Sequence, residues 1–168
     1  MKKILTLLVA FLMIASFSVQ AQGEKPKSPP RETKGKIGDV EVVIKYSSPS
    51  VKGRIIFGEL EKFGKVWRAG ANEATTMSFS KAVSINGTKL MAGTYSFFTT
   101  PNENGNWEII FNSEAKQWGA YKLNRDKDAL VSESQTSKIE KVEKLTYRIE
   151  GNFIYLDWDT TRLKIKVN

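Results

Sequence analysis

Residues 83–111, VSINGTKLMAGTYSFFTTPNENGNWEIIF, carry the clearest signal of the fold class. Asn86-Gly87 lies between two short runs suited to strands, and this dipeptide favours the type I′ turn of a two-residue β-hairpin. The next connection, residues 101–106, is rich in Pro, Asn and Gly, and it separates two further runs, 94–100 and 107–112. Short strands joined by turns of this kind are typical of an antiparallel sheet.

The same pattern extends in both directions from this stretch. Apolar residues recur with a period of two from Ile37 onward, which places one face of each strand on a core and the other in water. The alternating segments are 40–46, 76–79, 107–111, 145–150 and 163–167. The sequence therefore predicts an all-β, single-domain antiparallel β-sandwich or flattened barrel of about nine or ten short strands. Trp107 and Trp158 lie in regular alternation and are predicted to be core residues.

The N-terminal 36 residues have a different composition. Met1–Lys3 is basic, a run of about 14 apolar residues follows, and small residues at Val19 and Ala21 suit a cleavage site, which is the layout of a secretory signal peptide. The run is shorter than the roughly 20 residues that span a bilayer. Residues 22–36 are predicted to form a Pro/Lys-rich extended tether and residues 37–168 the all-β domain. We expect an exported protein, periplasmic or secreted, with no membrane span after cleavage at Ala21.

Several classes of chemistry are excluded by composition. The 168 residues include no Cys and no His, so disulfides, a thiolate nucleophile, a Ser-His-Asp triad and Cys- or His-bound zinc are ruled out. The net charge of +8 is spread along the chain rather than gathered in a stripe, so no nucleic-acid partner is expected. No metal or cofactor is expected either, and the oligomeric state is left open.

Two glycine-flanked regions combine large aromatic and polar side chains. The first spans residues 53–75 and the second residues 112–121. Trp and Tyr offer flat faces for stacking, Arg offers a fork for a carboxylate or phosphate, and Asn and Glu bind hydroxyl groups. Together they predict a polar-aromatic cleft of the kind that small ligands use. The predicted ligand-binding residues are Arg54, Trp67, Arg68, Asn72, Glu73, Asn112, Trp118 and Tyr121.

Some of these residues also have a structural interpretation. Trp67 suits core packing as well as ligand contact, and Arg68 with Glu73 suits an internal ion pair as well as recognition. Three functions therefore stay open. The first is a non-catalytic envelope module that binds a glycan, peptide or small polar ligand, and the second is a structural or partner-binding β-sandwich. The third is a carboxylate-based hydrolase that uses Glu73 with Glu59 or Glu114.

Two sequence blocks carry a family resemblance. The blocks are Trp67-Arg68-Ala69-Gly70-Ala71-Asn72-Glu73 and Trp118-Gly119, and with the run between them they resemble the domain of unknown function (DUF) 2911 family of exported bacterial proteins. The resemblance extends from about Ser28 to the end and implies a Bacteroidota-like host, but it implies no reaction. Ala69 stands where the family tends to have Thr. The family motif covers Gly53, Arg54, Trp67, Arg68, Gly70, Asn72, Glu73, Thr75, Asn112, Trp118 and Gly119.

Overall fold

The fold is known from a computed structural model that describes residues 27–168. The predicted signal peptide and residues 22–26 of the predicted tether lie outside the described residues. In the described part of the chain, Arg125–Lys127 forms a short 3₁₀ helix, and no helix there has the length and apolar character needed to cross a membrane. The strands are β1 (Pro30–Ile37), β2 (Val40–Ser47), β3 (Thr75–Phe79), β4 (Val83–Ile85), β5 (Thr88–Leu90), β6 (Gly93–Thr100), β7 (Asn106–Asn112), β8 (Asp128–Glu150) and β9 (Phe153–Lys166).

The strands form an antiparallel sheet and a separate hairpin. Seven strands pair in the order β1-β2-β3-β6-β7-β8-β9, and β4 pairs with β5. Asn86 and Gly87 join β4 to β5 with φ angles of 47° and 91°, which is the left-handed backbone that a type I′ turn requires. The predicted all-β antiparallel fold is confirmed.

The seven-stranded sheet curls until it is nearly closed as a barrel, the second of the two predicted forms. Strand β8 has 23 residues, and its pairing with β9 shifts register between Lys138 and Thr146. Such irregularities bend a strand, and the second half of β8 meets the chain that follows β2. Leu145 N–H donates to Pro49 C=O at 2.9 Å and Val51 N–H donates to Glu143 C=O at 2.8 Å.

The structure corrects the predicted tether over residues 30–36, because they belong to β1. This strand pairs with β2 along its whole length, from Pro30 opposite Ser47 to Ile37 opposite Val40. Most β1 side chains are polar and face water, and only Ile37 is buried in the core. Backbone hydrogen bonds to β2 hold the strand in place, and such bonds cannot be inferred from amino-acid composition.

The barrel interior is filled by large aromatic side chains. Trp67 and Trp158 stack with ring centres 5.7 Å apart. Phe57 meets Trp67, Trp107 and Trp158 edge-on, with ring centres 5.7, 4.6 and 6.0 Å away. Trp107 and Trp158 are fully buried, as the alternation predicts.

A smaller apolar cluster lies on the outer face of β6 and β7. Phe98 and Ile110 are fully buried there, under Ala74 and the partly buried Val66, Ala120 and Leu123. Segment 113–127 therefore folds over the outside of the sheet. Because Ala120 and Leu123 of this segment pack against the cluster, residues 115–119 lie beside the start of β3.

We expect Gly35→Val to loosen the closure of the barrel. A Cβ atom at Gly35 would lie 3.1 Å from Cβ and Cγ2 of Ile149 on β8, so a larger side chain forces β1 away. Overpacking of this kind costs about 1–3 kcal/mol. Urea unfolding measures the loss, with Lys34→Val on the exposed face as the matched control. A Gly35→Val protein as stable as the control would show that β1 does not need this close approach.

Candidate functional site

Residues 69–74 make an excursion from the sheet. Trp67 pairs with Thr99 of β6 through two hydrogen bonds of 2.8 and 2.9 Å, whereas Thr75, the first residue of β3, pairs with Phe97 of β6. Residues 69–74 leave the line of the sheet between these two pairings and return to it. The base is closed by the Thr75 hydroxyl, which donates to Ala69 C=O at 2.9 Å.

The excursion has the backbone angles of a tight loop and a glycine at its closest approach. Ala69 and Asn72 have φ angles of 53° and 59°, in the left-handed region. A Cβ atom at Gly70 would lie 2.9 Å from the Thr75 hydroxyl oxygen and 3.2 Å from Ser47 C=O. Gly70 therefore lets the loop lie against the end of β2.

The tip of the excursion pairs with the segment that contains Trp118. Ala74 N–H donates to Gln117 C=O at 2.9 Å, and Gly119 N–H donates to Asn72 C=O at 3.1 Å. Between these two bonds, Glu73 and Trp118 are direct antiparallel partners. They occupy the non-hydrogen-bonded position of the ladder, where side chains on one face approach most closely.

A groove of about 820 Å³ lies beside this pair. Strands β1, β2 and β3 line one side and segment 115–118 forms the facing wall. The volume is within the range of small-molecule sites. The lining residues are Pro30, Arg31, Glu32, Lys45, Tyr46, Ser47, Glu73, Ala74, Thr76, Ala115, Lys116, Gln117 and Trp118.

Some charged groups of the groove form ion pairs, and others have no ion-pair partner in the described part of the chain. Glu32 lies 2.8 Å from the Lys34 ammonium and 3.7 Å from that of Lys45. The hydrogen bond from Lys34 and the charges of both lysines lower the pKa of Glu32. Within residues 27–168, no oppositely charged atom lies within 4.0 Å of the charged groups of Arg31, Glu73 or Lys116.

Two of the eight predicted site residues, Glu73 and Trp118, line the groove. Trp118 exposes 65% of its surface, and Glu73 is exposed beside it. Arg31 lines the groove but is not among the predicted site residues, because the composition of its segment indicates a tether rather than a strand. Lys45 also lines the groove and is not among them, although the alternation in β2 marks Lys45 as a residue of the outward face.

Two other predicted residues support the groove from beneath. The Asn112 amide donates to Asn124 C=O and to the Asp128 carboxylate, both at 2.8 Å. Its oxygen accepts from Gln117 Nε2 at 3.0 Å, which fixes the wall next to Trp118. The Asn72 amide donates to the Ser47 hydroxyl at 3.3 Å and ties the excursion to β2.

The remaining four predicted residues do not line the groove, so the single cleft lined by all eight is not formed. Trp67 is in the core, where its Nε1–H donates to Gly70 C=O at 3.1 Å. The Arg54 guanidinium donates to Val51 C=O at 3.0 Å. Tyr121 exposes 87% of its surface to solvent. Arg68 is half-buried, and no ion pair joins it to Glu73 within residues 27–168.

A family model described as "Protein of unknown function (DUF2911)" matches residues 28–167. The chain belongs to the DUF2911 family. No curated protein and no solved structure matches it. In this DUF2911 chain, the two sequence blocks that carry the resemblance are joined in space, because the Glu73–Trp118 pair connects one block to the other.

We expect Trp67→Ala and Trp118→Ala to differ sharply in stability. Trp67 is a buried core residue, and truncation of such a side chain costs about 3–5 kcal/mol. Trp118 is largely exposed, and its truncation is expected to change stability by no more than about 0.5 kcal/mol. Chemical unfolding of both variants makes the comparison. Equal losses would contradict the separate roles assigned to the two side chains.

Glu61 is expected to make stability fall as the pH rises from about 4.5 to 7. Burial raises its pKa from 4.5 to about 7, and the charges of Arg68 and Arg54 oppose the rise only in part. Below pH 4.5 the Glu61 carboxyl is protonated in both the folded and the unfolded protein. Between pH 4.5 and about 7 it loses its proton in the unfolded chain but keeps it in the folded protein, so a rising pH favours unfolding. Glu61→Gln should flatten this dependence in urea unfolding at pH 5 and pH 7.5, whereas Glu59→Gln should leave it unchanged.

Proposed function

We propose that this DUF2911 protein is a non-catalytic binding module of the bacterial envelope that holds a polar ligand in the groove beside Glu73 and Trp118. One observation carries the proposal. A tryptophan with 65% of its surface exposed is held by backbone hydrogen bonds at the wall of a groove of about 820 Å³, next to a carboxylate. Flat aromatic faces beside a few placed polar groups are typical of small-ligand sites.

The position of Trp118 supports a binding role because its segment is fixed in advance. Gln117 and Gly119, its chain neighbours, are hydrogen-bonded to the excursion, and the Gln117 side chain donates to Asn112. A segment ordered before the ligand arrives loses less conformational entropy on binding. The other three tryptophans lie in the core, so Trp118 is the indole available to a ligand within residues 27–168.

The groove does not bring Glu73 together with either of the carboxylates considered as its partner in hydrolysis. Glu32 is paired with Lys34 and Lys45 and its pKa is lowered, whereas a general acid needs a raised pKa. Glu59 and Glu114, the other partners considered for Glu73, do not line the groove. Glu59 instead lies 3.5 Å from the Lys62 ammonium.

The signal-peptide layout of residues 1–21 supports export, either to the periplasm or out of the cell. Such a protein meets the polar polymers and fragments of the cell envelope. Glycans, peptides and their conjugates are therefore the ligands to test first.

We expect at least one envelope glycan, muropeptide or peptide in a binding screen to bind the mature protein through this groove. Trp118→Ala and Glu73→Gln should each weaken that binding, because both side chains line the site. Tyr121→Ala is the matched control, since Tyr121 is an exposed aromatic nearby that does not line the groove. Binding that survives both groove substitutions, or that is lost equally in Tyr121→Ala, would overturn the proposal.

A further inference from the structure

We infer that the groove takes a short peptide that carries both a protonated amine and a carboxylate. This inference rests on the proposed function and specifies its ligand. The inference follows from the distribution of charge around the groove. One part of the groove offers an aromatic face with a carboxylate, and two other lining residues offer cations that have no ion-pair partner among residues 27–168.

The amine would bind at the Glu73–Trp118 pair. Direct partners in an antiparallel ladder point to the same face of the sheet, so the carboxylate and the indole lie side by side. An ammonium group over an indole face is attracted by the ring quadrupole. The adjacent carboxylate supplies a charged hydrogen-bond acceptor, and Glu73 has no competing cation within 4.0 Å among residues 27–168.

The carboxylate would bind at Arg31 and Lys116. Arg31 lies on β1 and Lys116 on the facing segment, so cations border the groove on both sides. Both side chains are exposed, and neither has a carboxylate partner within the described range 27–168. Arginine in addition presents a rigid fork that matches a carboxylate. Glu32 opposes an anion only weakly, because Lys34 and Lys45 compensate its charge.

A peptide satisfies both sets of groups, and the alternative ligands do not. A neutral glycan leaves all three unpaired charges without a partner, a glucosamine oligomer meets only Glu73 and Trp118, and an acidic glycan meets only Arg31 and Lys116. The hydroxyl groups of Ser47 and Thr76 also line the groove, where a peptide backbone can hydrogen-bond to them. Charge complementarity therefore favours a peptide with a lysine-type side chain and a free carboxyl end.

The test is calorimetric titration of the mature protein with N-acetyl-alanyl-alanyl-lysine. Two modified peptides accompany it, one with the lysine amine acetylated and one with the carboxyl end amidated. Each modification is expected to weaken binding by at least about threefold, the size of one exposed cation–π or ion-pair contact. Trp118→Ala should weaken the binding of the unmodified peptide by a similar factor.

Single variants assign each end of the peptide to its site. In the Glu73→Gln protein, acetylation of the lysine amine should cause no further loss of affinity. In the Arg31→Gln protein, amidation of the carboxyl end should reduce the affinity less than it does in the wild type. Glu114→Gln and Lys122→Gln are the matched controls, since both residues are exposed on the segment next to the groove but do not line it. They should retain the full effect of each modification.

Three outcomes would overturn the peptide assignment. One is tighter binding of chitotriose, the cationic glucosamine trimer, or of a neutral or acidic glycan, than of the tripeptide. If Trp118→Ala abolishes that binding, the groove remains a ligand site and only the peptide assignment fails. The second is tripeptide binding that is insensitive to both modifications. The third is absence of Trp118-dependent binding for every probe, and this outcome also removes the proposed function.

Discussion

The hydrogen bonds between residues 49–51 and 143–145 hold the sheet in its nearly closed form, and the arrangement of the rest depends on them. They join the chain after β2 to the bent half of β8. Closure gives the sheet an inside, which the aromatic side chains around Phe57 fill, and an outside on which polar residues face water. Without closure, β1 would lose its contacts with β8, where Gly35 lies against Ile149 and the Thr33 hydroxyl donates to Tyr147 C=O.

The block of residues 67–73, which carries part of the family resemblance, divides into two parts with opposite environments. Trp67 points into the core and pairs through its backbone with β6, whereas Glu73 is exposed at the end of the excursion. The turn between them needs left-handed angles at Ala69 and Asn72 and a glycine against β2. The start of this block therefore packs in the core and its end lines the proposed binding groove, because the chain leaves the sheet between Trp67 and Glu73.

Much of the fold follows from local patterns. The Asn86-Gly87 turn, the alternation in β2 and β7, and the burial of Trp107 and Trp158 are properties of neighbouring residues, so a single sequence is enough to predict them. β1 could not be predicted in this way, since its side chains are polar and its place in the sheet depends on backbone bonds to β2. The full length of β8 could not be predicted for a related reason, since irregularities in its pairing with β9 between Lys138 and Thr146 interrupt the alternation there.

The all-β class, the turns, the absence of thiol and imidazole chemistry, and the set of residues from which a site can be built all follow from the amino-acid sequence. Which of these residues meet depends on the tertiary fold. Glu73 and Trp118 come together through hydrogen bonds between segments far apart in the chain, while Arg31 and Lys45 join them through strand pairing. Trp67 and Asn112, equally suited to ligand contact by residue type, are buried instead. The physical reason is that a side chain's type fixes what it can bind, whereas its exposure depends on contacts between residues that are distant in sequence.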